Sequence, residues 1–333
     1  MKKLIDNFNR IHTYLRLSLT DKCNLNCVYC NPDNSNYIKL LRRNILTFDE
    51  ILRLLKIFGN AGIKKIRFTG GEPLARKDVF DLFLRTKELK DKFNFDFGIT
   101  TNGVLLEGNV HKLKNSGIEK LNISLDSLQA DKFFQITKQD KFQSVMNSIF
   151  EAKQLGFNSL KVNAVIMKGI NDDEVTDFVN FAVQNNLNVR FIEFMPFGNN
   201  DWNSDSFISW QELKSRIENK YELIPAAADP NGVAKEFDIK NHPGRVSFIS
   251  SISDHFCATC NRLRISASGK LKLCLFTDGT NELDFKYLLN NDSLTDEDIL
   301  NLVSDKLKLK REKHPPVEEL MTYEKNQMLS IGG

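Results

Sequence analysis

The chain contains six cysteines, and all of them fall into two groups of three. The groups are Cys23, Cys27 and Cys30, spaced C-x3-C-x2-C, and Cys257, Cys260 and Cys274, spaced C-x2-C-x13-C. Clustered cysteines in an intracellular chain more often bind metal or carry out redox chemistry than form structural disulfides. Three thiolates can hold three corners of a cubic iron–sulfur cluster, which leaves the fourth iron free to bind another molecule. The spacing of the first group favours such a cluster.

Zinc is the alternative metal for both groups. A structural zinc site normally requires four protein ligands, and no histidine lies near the first group in the sequence. His242 or His255 could complete a zinc site with the second group. The neighbouring Arg262 and Arg264 suit an electron-rich cluster or an anionic substrate, although they would also partly offset the charge of a zinc thiolate site.

The elements that must position these cysteines are predicted by a repeated strand–helix pattern. Strand-like segments cover residues 13–20, 64–71, 95–103, 119–126, 159–167 and 188–196. The spacing of Thr47 and Glu50 predicts a capping box at the start of the first helix, which should end at Gly62. Another helix is predicted over residues 78–90. The repetition indicates parallel strands joined by right-handed helical crossovers.

The position of the polar motifs distinguishes between two α/β architectures. The first cysteine loop and the stretches GGEP, TTNG, SLD and EFMP each follow a predicted strand. Active sites of βα-barrels lie at the C-terminal ends of the strands, so a partial (β/α)6 barrel of TIM type is favoured over a doubly wound sheet. The regular pattern is lost near residue 225. We therefore predict a barrel domain over 1–225 and a C-terminal α+β domain over 226–333, which carries the second cysteine group and closes the barrel.

Composition excludes several classes of protein. Among 333 residues, 46 are Lys or Arg and 43 are Asp or Glu, so a broad nucleic-acid-binding surface is not expected. No apolar run of about 18 residues suggests a membrane span. The segment MKKLIDNFNR lacks the apolar run of a signal peptide. These observations predict a cytoplasmic protein.

Basic side chains recur on one face of the predicted strands. They are Arg16, opposite the leucines of its strand, Arg67 beside Thr69, Lys161 beside Asn163, and Arg190. Charged residues inside a barrel are costly unless they are paired, so this set indicates a bound polyanion. The alternative is that each cation pairs with an acid such as Asp126 or Glu193.

The first cysteine motif, with Tyr29 directly before its last cysteine, resembles that of the radical S-adenosylmethionine superfamily. The stretch Gly70 to Pro73 (GGEP) resembles the superfamily's second motif, whose backbone receives the amino group of the methionine moiety. The resemblance implies a [4Fe–4S] cluster whose free iron binds the amine and carboxylate of S-adenosylmethionine. One electron then splits the sulfonium and releases a 5′-deoxyadenosyl radical.

A more specific resemblance rests on motifs in both the N-terminal and the C-terminal part of the chain. FCATCNRLRISASGKLKLCLF is similar to the C-terminal segment of the GTP 3′,8-cyclase family of molybdenum cofactor biosynthesis. DKCNLNCVYC, IRFTGGEPL, ITTNG, NISLDSL, KVNAVIMKGIND, VRFIEFM and the terminal Gly332-Gly333 follow in the family's order. The resemblance implies a radical lyase that converts GTP to (8S)-3′,8-cyclo-7,8-dihydroguanosine 5′-triphosphate. It also implies a second [4Fe–4S] cluster, held by the second cysteine group, whose free iron orients guanine.

The resemblance assigns site residues position by position, and it assigns no catalytic residue beyond the cluster ligands. The S-adenosylmethionine contacts are Tyr29, Gly71, Glu72, Ser124 and Met195, and the GTP contacts are Arg16, Arg67, Thr100, Lys161, Arg262, Leu263 and Arg264. Two of these residues have simpler interpretations, since Glu72 could cap a helix and Met195 could fill the core.

The resemblance also implies partners. They are GTP, an external electron donor of flavodoxin or ferredoxin type, the downstream cyclic pyranopterin monophosphate synthase, and a second copy in a homodimer, with no membrane or nucleic acid. The flexible glycine tail could help close the site. The alternatives are a radical peptide-modifying maturase with an auxiliary cluster, and a zinc-dependent nucleic-acid-binding protein.

Overall fold

The computed structural model describes residues 3–31, 39–197, 200–227, 232–276, 279–280, 282–322 and 328–332. Within these residues one mixed sheet contains all the named strands. The strands are β1 Tyr14–Ser18, β2 Lys65–Thr69, β3 Asp96–Thr101, β4 Lys120–Ser124, β5 Ser159–Ile166, β6 Asn188–Glu193, β7 Leu223–Pro225, β8 Lys235–Ile239, β9 Arg245–Ile249, β10 Arg262–Ile265 and β11 Leu271–Lys272. The first six confirm the six predicted strands.

Helices alternate with the first six strands and continue after them. The α-helices are α1 Phe48–Asn60, α2 Val79–Arg85, α3 Lys87–Phe93, α4 Val110–Asn115, α5 Ala130–Thr137, α6 Phe142–Leu155, α7 Val175–Asn185, α8 Trp210–Glu218, α9 Phe285–Leu289, α10 Asp296–Leu307, α11 Val317–Leu320 and α12 Met328–Ile331. The capping box of Thr47 and Glu50 at the start of α1 is confirmed, and Gly62 follows the helix at φ +88°.

The predicted helix over residues 78–90 is two helices rather than one. Thr86 separates α2 from α3, and its hydroxyl donates a 2.7 Å hydrogen bond to the carbonyl of Phe83. A threonine hydroxyl that bonds to a carbonyl of the preceding turn is known to bend or interrupt helices.

The strand order explains how the two predicted domains fit together. Strands β1 to β6 are parallel and lie side by side in chain order, as a partial barrel requires. The C-terminal strands extend both edges of this sheet: β10 pairs with β1, and β9 pairs with β6. The predicted boundary near residue 225 coincides with the end of β7 and stays a prediction, because the sheet continues across it. The C-terminal segment therefore flanks the barrel on both sides.

The two faces of the sheet differ in polarity. Leu15 and Leu17 of β1 are fully buried in one large apolar core, together with Ile66 and Phe68 of β2. The helices pack against this face, as the ring of Phe83 in α2 does at 5.1 Å from that of Phe68. Because side chains alternate along a strand, the residues between these positions project to the opposite face. That inner face carries the site.

Candidate active site

One cavity of about 500 Å³ occupies the inner face of the sheet, and both cysteine groups line it. Its lining also includes Tyr14, Arg16, Lys65, Arg67, Thr69, Gly71, Thr100, Ser124, Lys161, Asn163, Arg190, Met195, Glu236, Arg262 and Arg264. Cysteines separated by more than two hundred residues therefore share a single chamber with a set of basic side chains.

The first cysteine group lies on the loop that follows β1. Backbone hydrogen bonds from Val28 to the carbonyl of Ile136 (2.9 Å) and from Asn26 to that of Thr137 (3.0 Å) fix this loop against the end of α5. Burial raises the pKa of Cys23 to about 11 and that of Cys30 to about 12. Such thiols become thiolates when a metal binds them. All three cysteines are free thiols that line the cavity, so they fit a cluster with three protein ligands.

The glycines of the GGEP motif pack against the cysteine loop. A Cβ atom on Gly71 would lie 2.5 Å from the carbonyl oxygen of Lys22, a distance that no side chain can adopt. The amide of Gly71 donates to the carbonyl of Thr20 at 2.7 Å. Glycine at this position allows the two backbones to come together and leaves polar backbone groups at the cavity wall.

Glu72 is not among the residues that line the cavity, and its assignment as an S-adenosylmethionine contact stays a prediction. The residue is fully buried, and its carboxylate accepts hydrogen bonds from the amide of Leu74 (2.9 Å), the amide of Asn102 (2.7 Å) and the hydroxyl of Thr101 (2.8 Å). Burial raises its pKa to about 7, although these bonds oppose the rise. The simpler interpretation, a carboxylate that caps a short helix, describes this geometry, and Glu72 joins the ends of β2 and β3.

The other residues assigned to S-adenosylmethionine line the cavity. Tyr29 donates a 2.8 Å hydrogen bond from its hydroxyl to Asp126. Ser124 ends β4, and Met195 follows β6 and also packs against the apolar cluster of Phe197. Their roles as ligand contacts stay predictions, and all three residues line the same cavity as the first cysteine group.

The second cysteine group is positioned by contacts between distant segments. The guanidinium of Arg10 donates a 2.7 Å hydrogen bond to the carbonyl of Cys257, and Lys310 donates to the carbonyls of Arg262 and Leu273. Burial favours the neutral thiol of Cys260, but the charge of Lys310 and its other neighbours outweighs this effect and lowers the pKa. The positive surroundings suit bound thiolates.

The two histidines that could complete a zinc site with the second cysteine group are placed differently. His255 lines the cavity, whereas His242 packs against Tyr221 and is not among the lining residues. Within the described part of the chain, no three His, Cys, Asp or Glu side chains form a group that could hold a single metal ion. His255 stays a candidate fourth ligand for the second cysteine group.

The predicted cations converge across neighbouring strands. Arg16 is the register partner of Arg67 on β2 and of Arg264 on β10, so three guanidinium-bearing residues lie side by side. Gly98 follows in register, and a Cβ atom there would lie 2.8 Å from Nη2 of Arg67. Burial and the charge of Arg262 lower the pKa of Arg264 to about 10. Crowded like charges of this kind are held together at a cost that a bound anion would offset.

The acids that could have neutralised these cations are not the expected ones. Asp126 accepts from Tyr29 and the amide of Val165, and Glu193 accepts from the amides of Ile252 and Ser253. Among the described residues, neither of these two acids pairs with the cations, but the alternative of paired cations holds for Lys161 and Arg190 through a different acid. That acid, Glu236 of β8, lies 2.6 Å from Nζ of Lys161 and 3.9 Å from Nη2 of Arg190.

Several buried polar atoms of the cavity wall have no hydrogen-bond partner in the described part of the chain. They are Oγ1 of Thr69 and Thr100, Oδ1 of Asn163, and Nε of Arg190 and Arg262. Buried polar atoms are normally hydrogen-bonded, so these atoms point to a polar ligand. Leu263 is an exception among the predicted contacts: its side chain lies in the apolar core on the other face of β10, so that side chain does not reach the cavity.

Gly332 in the C-terminal tail lies against β1 and β10, beside a residue of the cavity wall. A Cβ atom on Gly332 would lie 2.5 Å from Cβ of Ser18, and Arg264 donates a 3.3 Å hydrogen bond to the Gly332 carbonyl. Gly333 lies outside the described residues. The predicted role of the tail in closing the site agrees with this approach.

Sequence reasoning missed three residues of the site. Tyr14 lies two residues before Arg16, and Lys65 lies two residues before Arg67, so strand periodicity already placed both on the inner face. Glu236 had no comparable signal, because its partner is far away in the sequence.

Comparisons with known proteins agree with this geometry. A family profile described as Radical SAM superfamily matches residues 17–182, and one described as Molybdenum Cofactor Synthesis C matches residues 187–316. A protein of Arabidopsis thaliana named "GTP 3′,8-cyclase, mitochondrial" is 42% identical over 332 residues, which is 99% of this chain and 83% of the relative. A "GTP 3′,8-cyclase" of Thermodesulfovibrio yellowstonii is 44% identical over 88% of this chain and 90% of its own length.

Other relatives are longer, and solved structures are more distant. The chain is 42% identical to "Molybdenum cofactor biosynthesis protein 1" of Dictyostelium discoideum over 99% of its own length, but it spans about half (52%) of that relative. Streptococcus suis SuiB, solved with S-adenosylmethionine, has a TM-score of 0.61 at 16% identity and covers 86% of this chain and 68% of its own. This likeness concerns the fold alone. From the relatives above, the chain belongs to the GTP 3′,8-cyclase family of radical S-adenosylmethionine enzymes.

Proposed function

We propose that this protein converts GTP to (8S)-3′,8-cyclo-7,8-dihydroguanosine 5′-triphosphate, a step of molybdenum cofactor biosynthesis. One observation carries the proposal: a single cavity is lined by two separate groups of three cysteines and by the basic residues that lie among them. A substrate held by these cations lies within reach of both groups. This enclosure is what a reaction between S-adenosylmethionine and a polyanionic nucleotide requires.

Each part of the wall has a proposed task. Cys23, Cys27 and Cys30 would hold the [4Fe–4S] cluster that supplies the electron for cleaving S-adenosylmethionine. Tyr29, Gly71, Ser124 and Met195 would orient S-adenosylmethionine beside it, with Gly71 contributing backbone groups rather than a side chain. The close approach of Gly71 to the cysteine loop and the free thiols lining the cavity support this assignment.

The second cysteine group would hold a second [4Fe–4S] cluster, through Cys257, Cys260 and Cys274, and guanine would bind there. The lowered pKa of Cys260, caused chiefly by Lys310 against the effect of burial, supports bound thiolates at this place. The triphosphate, with about four negative charges at neutral pH, would bind the inward cations, which are Arg16, Arg67, Lys161, Arg262 and Arg264. Thr100 has a buried hydroxyl without a partner in the described part of the chain, which suits a GTP contact.

The remaining partners stay predictions. An electron donor of flavodoxin or ferredoxin type would reduce the enzyme, and cyclic pyranopterin monophosphate synthase would take the product. A homodimer and a cytoplasmic location are likewise predicted, and one relative is named as mitochondrial. The helices of the described residues are all too short or too polar to cross a membrane.

The experiment is an anaerobic incubation of the reconstituted protein with GTP, S-adenosylmethionine and a strong reductant. We expect 5′-deoxyadenosine and a cyclised nucleotide, and about eight irons per chain, as two cubic clusters require. Cys23→Ala should abolish 5′-deoxyadenosine formation. A protein with about two zincs per chain and no cleavage of S-adenosylmethionine would contradict the proposal.

A further inference from the structure

Tyr14 lies on the inner face of the sheet and contacts three of the cations that line the cavity. It is 2% exposed, and its register partners are Lys65 on β2 and Arg262 on β10. Nζ of Lys65 lies 5.1 Å from the centre of its ring, and Cζ of Arg262 lies 5.2 Å from it. Both distances fall within the range of cation–π attraction.

The phenolic oxygen of Tyr14 makes a third contact, to the guanidinium of Arg67. Nε of Arg67 donates to this oxygen at 3.0 Å, and Nη1 of Arg67 donates to the carbonyl of Ile99 at 2.7 Å. Two bonds in different directions fix the plane of the guanidinium. The described residues give the phenolic oxygen a donor, Arg67, and no acceptor for its own proton.

The positive charges that face Tyr14 stabilise negative charge on its phenolic oxygen. Burial alone would raise the pKa of this phenol, but the positive charges of Arg67, Arg16, Arg262 and Lys65 outweigh burial and lower the pKa to about 6. Arg190 on β6 and Arg264 on β10 also interact electrostatically with it. A buried oxygen of this kind reduces the mutual repulsion of the surrounding cations.

We propose that Tyr14 is a positioning residue that holds Lys65, Arg67 and Arg262 in the converging arrangement that binds the triphosphate of GTP. The inference rests on the proposed function, since it concerns the same cavity. Tyr14 acts through these three cations rather than on the reacting atoms. Phenylalanine has the same ring as tyrosine and lacks only the hydroxyl. If Tyr14 only filled space, Tyr14→Phe would therefore leave GTP binding unchanged.

The test compares Tyr14→Phe with the wild type, using the reconstituted holoenzyme and titration calorimetry. The probes are GTP, GDP, GMP, guanosine, inorganic tripolyphosphate and S-adenosylmethionine. We expect the GTP dissociation constant to rise about ten- to a hundredfold, the range for loss of a hydrogen bond to a charged group. The effect should decrease from GTP to GMP and vanish with guanosine, while binding of S-adenosylmethionine stays unchanged.

Two further variants make the result decisive. Tyr221→Phe removes a hydroxyl that bonds to Asn180 outside the cavity, and it should bind every probe as the wild type does. Arg67→Ala should weaken the same phosphate-bearing probes as Tyr14→Phe. Equal losses for guanosine and GTP, or no loss of GTP or tripolyphosphate binding in Tyr14→Phe, would overturn the inference.

Tripolyphosphate separates this inference from the proposed function. If the wild type binds tripolyphosphate but not GTP, and Tyr14→Phe loses that binding, the role of Tyr14 stands and the GTP assignment fails. If the wild type binds GTP and Tyr14→Phe binds it equally well, the GTP assignment stands and the role of Tyr14 fails.

Discussion

Individual residues of the cavity are held by partners that the proposed ligands would have to replace or join. Lys161 is the clearest case, because Glu236 lies 2.6 Å from its ammonium group while the side chains of both are largely buried. Without Lys161, Glu236 keeps, among the described residues, only the more distant cations Arg245 (3.2 Å) and Arg190 (3.9 Å). The two members of this pair should therefore have opposite effects on anion binding.

Lys161→Ala should weaken GTP binding about ten- to a hundredfold, because it removes a cation and leaves Glu236 facing the phosphates. Glu236→Gln should strengthen GTP binding, because Lys161 then has no carboxylate competing for it. Calorimetric titration with GTP and with S-adenosylmethionine measures both effects, and only the GTP values should change.

Lys132→Ala is the matched control for this pair, since Lys132 bonds to Asp173 at 2.7 Å and does not line the cavity. It should leave both dissociation constants unchanged. Weaker GTP binding by Glu236→Gln would mean that the carboxylate helps to bind the nucleotide.

His12 gives the stability of the protein a pH dependence. The residue is fully buried beside Asp6, and burial, with the charge of Lys310, lowers its pKa from 6.5 to about 4. Below pH 6.5 the histidine of the unfolded chain binds a proton that the folded chain does not bind until about pH 4. Stability is therefore lost as pH falls through this window, by up to about 3 kcal/mol.

His12→Gln should remove most of this loss, because glutamine keeps a donor for Asp6 and does not titrate. Guanidinium unfolding of the reconstituted protein between pH 7 and pH 4 measures the difference. His111→Gln changes an exposed histidine of α4 and should keep the wild-type slope. A wild-type slope in His12→Gln would show that other groups control the acid sensitivity.

Among the elements, α1 shows how a local signal fixes a boundary. The side chain of Thr47 accepts from the amide of Glu50 at 3.2 Å, and the carboxylate of Glu50 accepts from the amide of Thr47 at 2.6 Å. Lys286 and Asn290, on and just after α9, reach the same carboxylate. The cap therefore also connects the first helix to the C-terminal segment.

Thr47→Ala should lower the free energy of unfolding by about 1 kcal/mol, because an amide at the start of α1 loses its acceptor. Denaturant unfolding measures this loss. Thr47→Ser keeps the hydroxyl and should differ from the wild type by only a few tenths of a kcal/mol. Equal destabilisation by alanine and serine would mean that the methyl group, rather than the cap, is what matters.

The sheet as a whole brings the two cysteine groups to one chamber. Strand β10 lies beside β1, so the segment with Cys257 and Cys260 is placed next to the strand that leads to Cys23. The groups nevertheless belong to different loops with separate contacts, to α5 in one case and to Arg10 and Lys310 in the other. Their functions should therefore be separable.

Cys274→Ser should keep some cleavage of S-adenosylmethionine, since the first cysteine group is intact, while cyclisation of GTP should fall by orders of magnitude because guanine loses its orientation. Anaerobic assays for 5′-deoxyadenosine and for the cyclised nucleotide measure the two activities. Cys30→Ala is the counterpart and should abolish both. Normal cyclisation by Cys274→Ser would mean that the second cysteine group has only a structural or electron-relay role.

Short-range patterns were sufficient for much of this protein. Alternation along the strands predicted the six barrel strands and put Arg16, Arg67 and Lys161 on the inner face, because side chains alternate in any strand. The capping box fixed the start of α1, because its hydrogen bonds join residues only three apart. The spacing of the first cysteine group favoured a cluster with three protein ligands, because its cysteines lie on one short loop. These features depend on neighbours in the chain, so the sequence contains them directly.

The remaining features depend on which distant segments meet. Lys161 and Glu236 pair because β8 and β9 continue the sheet beyond β6, and no local pattern encodes that strand order. Leu263 and Glu72 lie inside motifs that resemble binding sequences, yet the turn and the strand face direct their side chains into the protein. The C-terminal strands pair with both edges of the barrel sheet and so bring together residues that lie hundreds of positions apart. The packing of the whole core decides which of these pairs form.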